Sequence, residues 1–375
     1  MKLTSKPIRV CVIVSSLDRL GGQSIQAARL LACLADEKGI LAELLPVNPR
    51  LPKALRWLQR IKYVRTIVTE LVYLVTLFMR LPRYDVAHIF AASYFSFLLA
   101  PAPAVLIAKL FGKGVLLNYH SGEAEDHLRR WPRTTLPILR MADRVVTPSL
   151  YLVDVFARFG VRADAIANIV DLNRFAFRER RPLRPVLLSN RNLESHYNVA
   201  ATLRAFALIE RQAPGARLIV AGEGSESARL LALAAELRIK RIEFMGAVPP
   251  DGMPALYDQA DIFINASLID NLPLSILEAF ACGLAVVTSG AGGIPRIVTD
   301  GRTGIITALD DHESLARHVL ELLGDHDLAA RLIKEARAEC QRYTWAAVRG
   351  PWLATYSDLL RGGSGVTLKS RATTN

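Results

Sequence analysis

The sequence has few cysteines and few aromatic residues. Its 375 residues include four cysteines, which lie far apart in apolar contexts and form no C-x-x-C pair: Cys11, Cys33, Cys282 and Cys340. Disulfide frameworks and zinc sites need cysteines at recurrent spacings, so we expect reduced core residues of a cytosolic protein. Aromatic residues make up 7% of the chain, and it shows none of the sequence signatures of DNA-binding or RNA-binding modules. These absences argue against nucleic acid as a partner.

Acidic residues and long apolar runs are also scarce. Lysine and arginine total 47 against 35 acids, a net charge of +12, which favours acidic partners such as nucleotide phosphates or anionic lipid. A transmembrane helix needs roughly 18 uninterrupted apolar residues, whereas the closest run, residues 67–79, is shorter and carries Glu70. The apolar run at residues 8–14 has about the length of a strand and is followed by no small-residue cleavage site. We therefore expect a cytoplasmic protein, peripheral on the inner face of the cell membrane where it contacts lipid.

The chain is too long for one ordinary hydrophobic core, so about two domains are expected. Short apolar strands alternate with helices, which predicts an α/β fold with parallel sheets. A charged, proline-bearing stretch interrupts the alternation and is the predicted boundary. The predicted organisation is an N-terminal domain at residues 1–176, a linker at 177–185, a C-terminal domain at 186–344, a tail helix at 345–361 and a disordered end at 362–375.

One stretch, residues 261–283, organises the second half of the chain. It begins with a short apolar strand and enters a helix at Pro273, whose fixed φ suits a first helical position. Gly283 ends the helix and another strand follows, so the stretch is a βαβ unit. Asp270 precedes the helix and Glu278 lies within it, near the strand end where open α/β sheets bind ligands. Two interpretations remain open: ligand-binding acids, or a capping Asp270 and a solvent-facing Glu278.

Two further candidates follow strands in the first half of the chain. Gly21 and Gly22 stand between the first strand and its helix, where glycines let backbone amides approach a phosphate or a sugar. Such glycines also occur as simple turns. His120 follows a later strand and is expected at the same edge of the sheet, where a catalytic and a structural role are both open.

The segment 50–83 holds eight basic residues against the single acid Glu70. If the segment is helical, Lys53, Arg56 and Arg60 share one side and apolar residues take the other. A basic amphipathic helix beside an apolar run is typical of contact with an anionic membrane surface. The alternative is a solvated helix that packs on its own domain.

Several motifs recur in a fixed order along nearly the whole chain. The most specific is S-x-x-D-N-L-P-L-S-I-L-E-A-F-A-C-G-L-A-V-V-T-x-x-A-G-G-I-P, followed by D-G-R-T-G. The pair Gly21-Gly22 and the runs A-D-R-V-V-T-P-S, N-I-V-D-L-N-R-F and L-I-V-A-G-E-G-S precede it. Together they resemble the retaining glycosyltransferases of family four. The resemblance implies a GT-B fold, in which two Rossmann-like domains face each other across a cleft and a C-terminal helix packs back on the N-terminal domain.

The resemblance also implies an activity. A sugar would pass from a nucleotide-sugar donor to a sugar or lipid-linked acceptor, with retention of anomeric configuration, in the synthesis of cell-envelope polysaccharide or glycolipid. No cofactor or metal is implied, because helix N-termini and cationic side chains would stabilise the leaving diphosphate. Asp325 and Asp327 match the D-x-D spacing of metal-dependent sugar transferases, but they stand between two helices. We expect a helix cap there.

Each candidate residue receives a role from the resemblance. Glu278 would hold the ribose hydroxyls of the donor, and Asp270 would reach hydroxyls of the transferred sugar. Arg191 would neutralise the diphosphate, and the turn at 246–248 would lie beside the base. The implied catalytic residues are His120, Asp270 and Arg191, and the implied donor-binding residues are Gly22, Arg191, Tyr197, Gly222, Gly246, Val248, Asp270, Asn271, Leu272, Glu278, Gly292 and Gly293.

The sequence departs from the family pattern at several positions. Tyr197 stands where a lysine usually accompanies the phosphate-binding arginine, and a tyrosine supplies a hydrogen bond but no charge. Asp270 replaces a glutamate, residues 271–273 replace a glycine-containing turn, and Arg296 replaces a common glutamate. These departures indicate a divergent subgroup with altered donor choice or weakened catalysis. Two alternatives therefore stay open: a nucleotide-sugar epimerase of the same fold, and a binding protein that has lost turnover.

Overall fold

The computed structural model describes residues 6–16, 21–49, 51, 57, 61 and 64–361, and in this part the chain forms two α/β halves. Each half has a six-stranded sheet whose paired strands are all parallel. The first sheet has the order β2-β1-β3-β4-β5-β6 and contains β1 (Ile8–Val14), β2 (Ile40–Pro46), β3 (Val86–Ala91), β4 (Gly114–Tyr119), β5 (Arg144–Thr147) and β6 (Asp164–Ala165). The second has the order β12-β11-β10-β7-β8-β9 and contains β7 (Val186–Asn190), β8 (Arg217–Ala221), β9 (Ile242–Gly246), β10 (Ile262–Asn265), β11 (Ala285–Ser289) and β12 (Ile305–Thr307).

Helices cover both faces of the two sheets. Those of the first half are α1 (Gly22–Ala35), α2 (Val64–Arg80), α3 (Phe95–Leu99), α4 (Pro101–Leu110), α5 (Ala124–Arg130), α6 (Pro132–Met141) and α7 (Leu150–Arg158). Those that follow are α8 (Val199–Gln212), α9 (Ser227–Glu236), α10 (Met253–Gln259), α11 (Leu274–Cys282), α12 (His312–Gly324), α13 (His326–Glu339) and α14 (Trp345–Leu360). Short 3-10 turns lie at Leu81–Arg83, Ser195–Tyr197, Pro250–Gly252, Ile294–Arg296 and Cys340–Tyr343.

The central strands are buried on both faces. Every residue of β3, β10 and β11 is buried, as expected for parallel strands with helices on each side. Residues of β1 alternate between two hydrophobic clusters, with Cys11 and Ile13 on one face of the sheet and Val10 and Val12 on the other. The α/β expectation is confirmed by this arrangement.

Both sheets reverse their strand order at a point that faces the other half. In the first sheet the reversal lies between β1 and β3, and in the second it lies between β7 and β10. Open parallel sheets bind ligands outside the carboxyl ends of the strands at such a reversal. Residues that follow these strands, among them Gly22, Ala92, Arg191 and Asp270, line one cleft between the halves.

The chain returns to its first half through α14. Trp352 and Tyr356 are buried in the hydrophobic cluster of the first sheet, and the Tyr356 hydroxyl lies 2.8 Å from Nδ1 of His88. Glu37 of the first half accepts hydrogen bonds from Trp345 Nε1 at 3.1 Å and from Arg349. The predicted tail helix that packs across to the N-terminal domain is therefore present.

The charged stretch before β7 is held to the second half by a buried carboxylate. Arg178, Arg180 and Arg184 all donate to Asp261, which is 1% exposed. Nearby, Gly283 ends α11 in the left-handed region at φ 81°, and a β-carbon there would lie 2.7 Å from the ring of Phe177. Residues 177–185 thus contact the second half along much of their length.

Residues 95–110 form two helices, α3 and α4, because Pro101 lacks the N–H needed to continue a helix and instead begins a new one. Of the basic segment, Arg50, Lys53, Arg56, Arg60 and Lys62 lie outside the described residues, as does the expected disordered end at 362–375. Within the part of the chain that the structure describes, none of the helices has the length and apolarity to cross a bilayer.

Candidate active site

A cleft of about 860 Å³ separates the two halves and collects most of the candidate residues. Ten of the thirteen predicted site residues line it: Gly22, His120, Arg191, Tyr197, Gly222, Val248, Asp270, Asn271, Leu272 and Glu278. The other three, Gly246, Gly292 and Gly293, lie next to lining residues rather than on the wall. Each half contributes residues from the carboxyl edge of its sheet, so the predicted position of the site agrees with the strand order.

Glu278 is buried in α11 and faces the cleft. The residue is 7% exposed. The Tyr257 hydroxyl lies 3.1 Å from its Oε2, and Arg29 donates to its Oε1 at 2.7 Å. The open interpretation in which this carboxylate faces solvent is therefore wrong. Its helix packs along the whole segment from Ser275 to Cys282, and the carboxylate reaches the cleft at the start of the second turn.

Asp270 binds an arginine rather than capping the helix. Its carboxylate forms an ion pair with Arg191 and accepts a hydrogen bond from it. It also accepts a hydrogen bond from the backbone amide of Asn271 at 2.9 Å. The residue at the N-terminal cap of α11 is Pro273, and no side chain caps that helix. The capping interpretation of Asp270 is wrong as well, and both acids take part in contacts at the cleft wall.

Arg191 is fixed on three sides. Besides Asp270, it donates to the Ser275 hydroxyl at 2.8 Å, and its guanidinium lies over the Tyr197 ring, 4.2 Å from the ring centre. Its Nε is buried and has no partner among the described residues. Burial raises the pKa of the Tyr197 hydroxyl. Tyr197 is therefore neutral and supports the arginine by a cation–π contact, which positions the charge without adding a second one.

His120 approaches the same acids from the first half. Its ring stacks on Phe90 at 5.1 Å, and its Nε2 is shielded from solvent and has no partner among the described residues. Burial lowers the pKa of His120 to about 3, so the imidazole is neutral at physiological pH. The following loop touches the acid loop, because a β-carbon on Gly122 would lie 3.3 Å from the backbone of Asp270.

The glycines of the second half permit close backbone contacts. Gly222 has φ 141°, and a β-carbon there would lie 2.2 Å from the carbonyl oxygen of Arg191. Gly292 has φ 51°, and a β-carbon there would lie 2.0 Å from the carbonyl oxygen of Asp270. The Gly293 amide already donates to the Asp270 carbonyl at 3.1 Å. Gly292 and Gly293 therefore shape the loop that carries Asp270, and the amide of Gly293 is not free for a phosphate.

Two helices begin at the cleft without a side-chain cap. Helix α1 begins at Gly22, directly after Gly21, and α11 begins at Leu274, directly after Pro273. The first amides of a helix lack intrahelical partners and carry a partial positive charge, which suits an anion. Gly22 and Leu274 both line the cleft, so the positive ends of two helices reach it together with Arg191.

The structure adds site residues to which the sequence analysis assigned no role. From the first half, the Ser149 hydroxyl donates to the side-chain oxygen of Asn271. The Asn168 side chain donates to the Leu272 carbonyl at 3.3 Å. Arg29 reaches Glu278 from α1. A signal for Arg29 existed, because it stands seven residues, or two helical turns, after Gly22 and so shares its helix face. Ser149 ends the A-D-R-V-V-T-P-S run and Asn168 begins the N-I-V-D-L-N-R-F run, so both lie in motifs that carried the family resemblance.

The D-x-D pair lies away from the cleft. Asp325 accepts a hydrogen bond from the Leu328 amide at 2.9 Å and caps α13, as expected. Among the described residues, no group of three or more histidine, cysteine or acidic side chains is placed to hold a metal. The four cysteines are free, and three of them are buried.

Comparisons with known proteins agree with this geometry. The family model for glycosyl transferases group 1 matches residues 173–339. The glycogen synthase of Mycobacterium tuberculosis is 30% identical over 280 residues, covering 69% of this chain and 67% of the relative. The GDP-mannose-dependent alpha-(1-6)-phosphatidylinositol monomannoside mannosyltransferase of Mycolicibacterium smegmatis is 30% identical over 260 residues, covering 62% and 68%.

A solved structure extends the likeness to the whole fold. HepE of Anabaena, crystallised in complex with UDP-glucose, has a TM-score of 0.73 and 17% identity, covering 94% of this chain and 100% of the other. At that identity the likeness concerns the fold, and it confirms the two Rossmann-like domains of the GT-B arrangement. None of these three proteins is named as an epimerase, so nothing in them supports that alternative.

Proposed function

Since this chain belongs to the glycosyl transferases group 1 family and is a glycosyltransferase, we propose that it transfers a sugar from a nucleotide-sugar donor held in the cleft to an acceptor. One observation carries the proposal: Arg191, Asp270 and Glu278 converge at the strand-order reversal of the second sheet and face His120 of the first half. A cation and two carboxylates on one cleft wall, with a neutral imidazole on the other, suit a ligand with both anionic and hydroxyl groups.

The diphosphate would bind where positive potential is concentrated. Arg191 keeps a buried, unpartnered Nε, and the starts of α1 and α11 add helix amides. Breaking the bond between sugar and diphosphate leaves negative charge on the leaving group, which fixed donors stabilise strongly in a site shielded from water. These groups would carry that charge without a metal, so we propose a metal-independent transfer.

The rest of the donor would extend along the second sheet. Glu278 would accept the ribose hydroxyls, and the wall formed by Ala247, Val248 and Met253 would lie beside the base. Asp270 would accept hydroxyls of the transferred sugar close to His120. Gly222 and Gly246 would hold the backbone turns around this path. We propose retention of the anomeric configuration, which rests on the motif resemblance of this wall to the retaining family.

The acceptor is proposed to be a sugar or a lipid-linked molecule of the cell envelope. The relatives named above include an enzyme whose acceptor is a phosphatidylinositol monomannoside. Helix α2 offers a surface for such a substrate, because it exposes an apolar stripe made of Ile67, Leu71, Val75, Phe78 and Met79. Tyr73 and Leu77 on its other side are buried against the first half.

This stripe supports a peripheral membrane contact through residues 50–83. Arg65 and Arg83 flank it and are exposed, so an apolar face lies between basic residues. Such a helix lies in the plane of a bilayer surface, where apolar burial and attraction to anionic lipid act together. We therefore propose that the protein associates with the inner face of the cell membrane.

A panel of nucleotide sugars tests the activity. Purified protein is incubated with UDP-linked, GDP-linked and ADP-linked hexoses, with and without a membrane lipid extract, and the products are followed by chromatography and NMR. We expect release of free nucleotide that increases with acceptor, an α-linked product from an α-linked donor, and no change on adding EDTA. A converted but still nucleotide-bound sugar would instead identify an epimerase. Tight binding with no turnover would identify a binding protein.

A further inference from the structure

An arginine from the first half completes the surroundings of Glu278. Arg29, on α1, donates through one terminal nitrogen to Glu278 Oε1 at 2.7 Å and through the other to the Ile169 carbonyl at 2.9 Å. The side chain is 12% exposed and the partner carboxylate 9%. The pair joins the two halves across the cleft, and Arg29 itself lines that cleft.

Arg29 is held in place before any ligand arrives. The Ile169 carbonyl that binds it also accepts from Gln26 Nε2 at 2.9 Å, and the Ile169 amide donates to Gln26 Oε1 at 2.7 Å. Gln26 is buried and stands one turn before Arg29 on the same helix. The guanidinium is therefore preorganised by its own half of the molecule, and Glu278 meets a fixed donor.

The remaining acceptor sites of Glu278 match a pair of hydroxyls. A carboxylate oxygen has two lone-pair sites. Arg29 occupies one site on Oε1, and the Tyr257 hydroxyl lies within hydrogen-bond distance of Oε2. One site on each oxygen stays available, which suits two neighbouring hydroxyls on one sugar ring. Arg29 also neutralises a buried carboxylate that would otherwise repel a nearby diphosphate.

We propose that Arg29 is a positioning residue for the donor: it orients Glu278 from the opposite half so that this carboxylate accepts both ribose hydroxyls. The inference deepens the proposed function and rests on it. Through Arg29, the first half would contribute to the recognition of a ribose that binds to the second half. Ribose recognition therefore depends on the two halves being together, although Arg29 touches neither the sugar nor the reacting atoms.

The test measures discrimination between two ligands within each variant. Affinities of UDP and GDP, each with its 2′,3′-dideoxy counterpart, are measured by titration calorimetry for the wild type, Arg29→Gln and Arg29→Lys. The matched control is Arg296→Gln, which removes another arginine that pairs across the halves, with Asp154 at 3.0 Å, but on the exposed surface. Because the readout is a ratio within one sample, a fraction of unfolded variant does not change it.

The wild type should prefer the ribose form by about 10- to 100-fold, as expected for hydrogen bonds to a charged group. Arg29→Gln should reduce this preference to within about threefold, Arg29→Lys should recover part of it, and Arg296→Gln should leave it unchanged. An undiminished preference in Arg29→Gln overturns the positioning role while the proposed donor site stands. A stronger preference overturns it too, because Arg29 would then compete with ribose. No preference in the wild type overturns this inference and the ribose assignment of Glu278 together.

Discussion

The two halves of the molecule share a topology but present different chemistry to the cleft. The second half supplies charged side chains, namely Arg191, Asp270 and Glu278, which are paired with one another or with the opposite half. The first half supplies helix amides at Gly22, the neutral imidazole of His120 and one arginine, Arg29, whose charge is paired with Glu278. We therefore propose that the second half holds the charged donor and that the first half shapes the place where the acceptor attacks.

Removing the cation of the second half should have the largest effect on activity. Arg191→Ala should lower turnover on the order of 100-fold or more, because a preorganised charge aimed at the leaving group is lost. Steady-state nucleotide release measures the effect, and Arg296→Ala serves as a control for an exposed arginine. Adding Tyr197→Lys should restore part of the rate. Turnover close to that of the wild type in Arg191→Ala would mean that the diphosphate binds elsewhere.

Removing the charge of Glu278 should have the next largest effect. Glu278→Gln should weaken nucleotide binding by about 10- to 100-fold, because a neutral amide replaces a charged acceptor. The fold should persist at a lower melting temperature, since Arg29 would lose its buried partner. Titration calorimetry with nucleoside diphosphates measures the binding. The exposed Glu243→Gln is the control, and equal affinities in both variants would refute the assignment.

Acid should destabilise the first half more than the second half. His88 and His120 lie in the first half, and burial lowers the pKa of each to about 3, below the usual 6.5. The unfolded chain therefore binds more protons, so the stability these residues confer is complete above about pH 6.5. It should be lost at about 1.4 kcal/mol per pH unit for each histidine as the pH falls towards 3. None of the described histidines in the second half is buried.

Tryptophan fluorescence can follow the first half selectively. The four tryptophans are Trp57, Trp131, Trp345 and Trp352, and they belong to the first half or to the tail helix that packs on it. We expect the fluorescence transition at a higher pH than the loss of amide protection in β7 and β10, measured by hydrogen exchange. His120→Gln should shift the fluorescence transition to lower pH. Coincident transitions in both halves would contradict this difference.

A separate prediction concerns the membrane surface proposed for the first half. Replacing Lys53, Arg56 and Arg60 by glutamine should weaken binding to anionic vesicles by about 1 kcal/mol per residue and leave nucleotide affinity unchanged. Raising the salt to about 1 M should release the electrostatic part, because the Debye length falls from about 10 Å at 0.1 M to about 3 Å. Sedimentation with anionic and neutral vesicles measures both effects.

The exposed apolar stripe of α2 should retain some protein at high salt. Replacing Leu71 and Val75 by serine removes two of its exposed side chains, and this variant should leave the vesicles completely at about 1 M salt. Equal binding of the wild type to anionic and neutral vesicles, or no binding to either, would reduce residues 50–83 to a solvated surface.

The sequence predicted the second half of the site better than the first. Asp270 and Glu278 were recognisable because charged residues are conspicuous within an apolar βαβ unit, whereas Arg191 received its role only from the family resemblance. The alternating strands and helices likewise predicted an α/β fold, and the family resemblance implied the returning helix. Local patterns of this kind depend on residues close together in the chain.

The contacts between the halves could not be predicted from the sequence. Arg29 and Glu278 are 249 positions apart, and Ser149 and Asn271 are 122 apart, so no periodicity links them. The cation–π support that Tyr197 gives Arg191 depends on a ring placement that composition does not encode. From the sequence, Tyr197 in place of the usual lysine indicated only a missing positive charge. In the structure its ring lies against the Arg191 guanidinium and supports that group.

A crystal structure with bound UDP or GDP would show which half of the molecule holds the donor. If the second half holds the donor, the ribose hydroxyls will lie within hydrogen-bond distance of Glu278, the phosphates will contact Arg191, and His120 will face the β-phosphate from the opposite wall. A nucleotide bound along the carboxyl edge of the first sheet, with Arg191 still paired only to Asp270, would contradict the account.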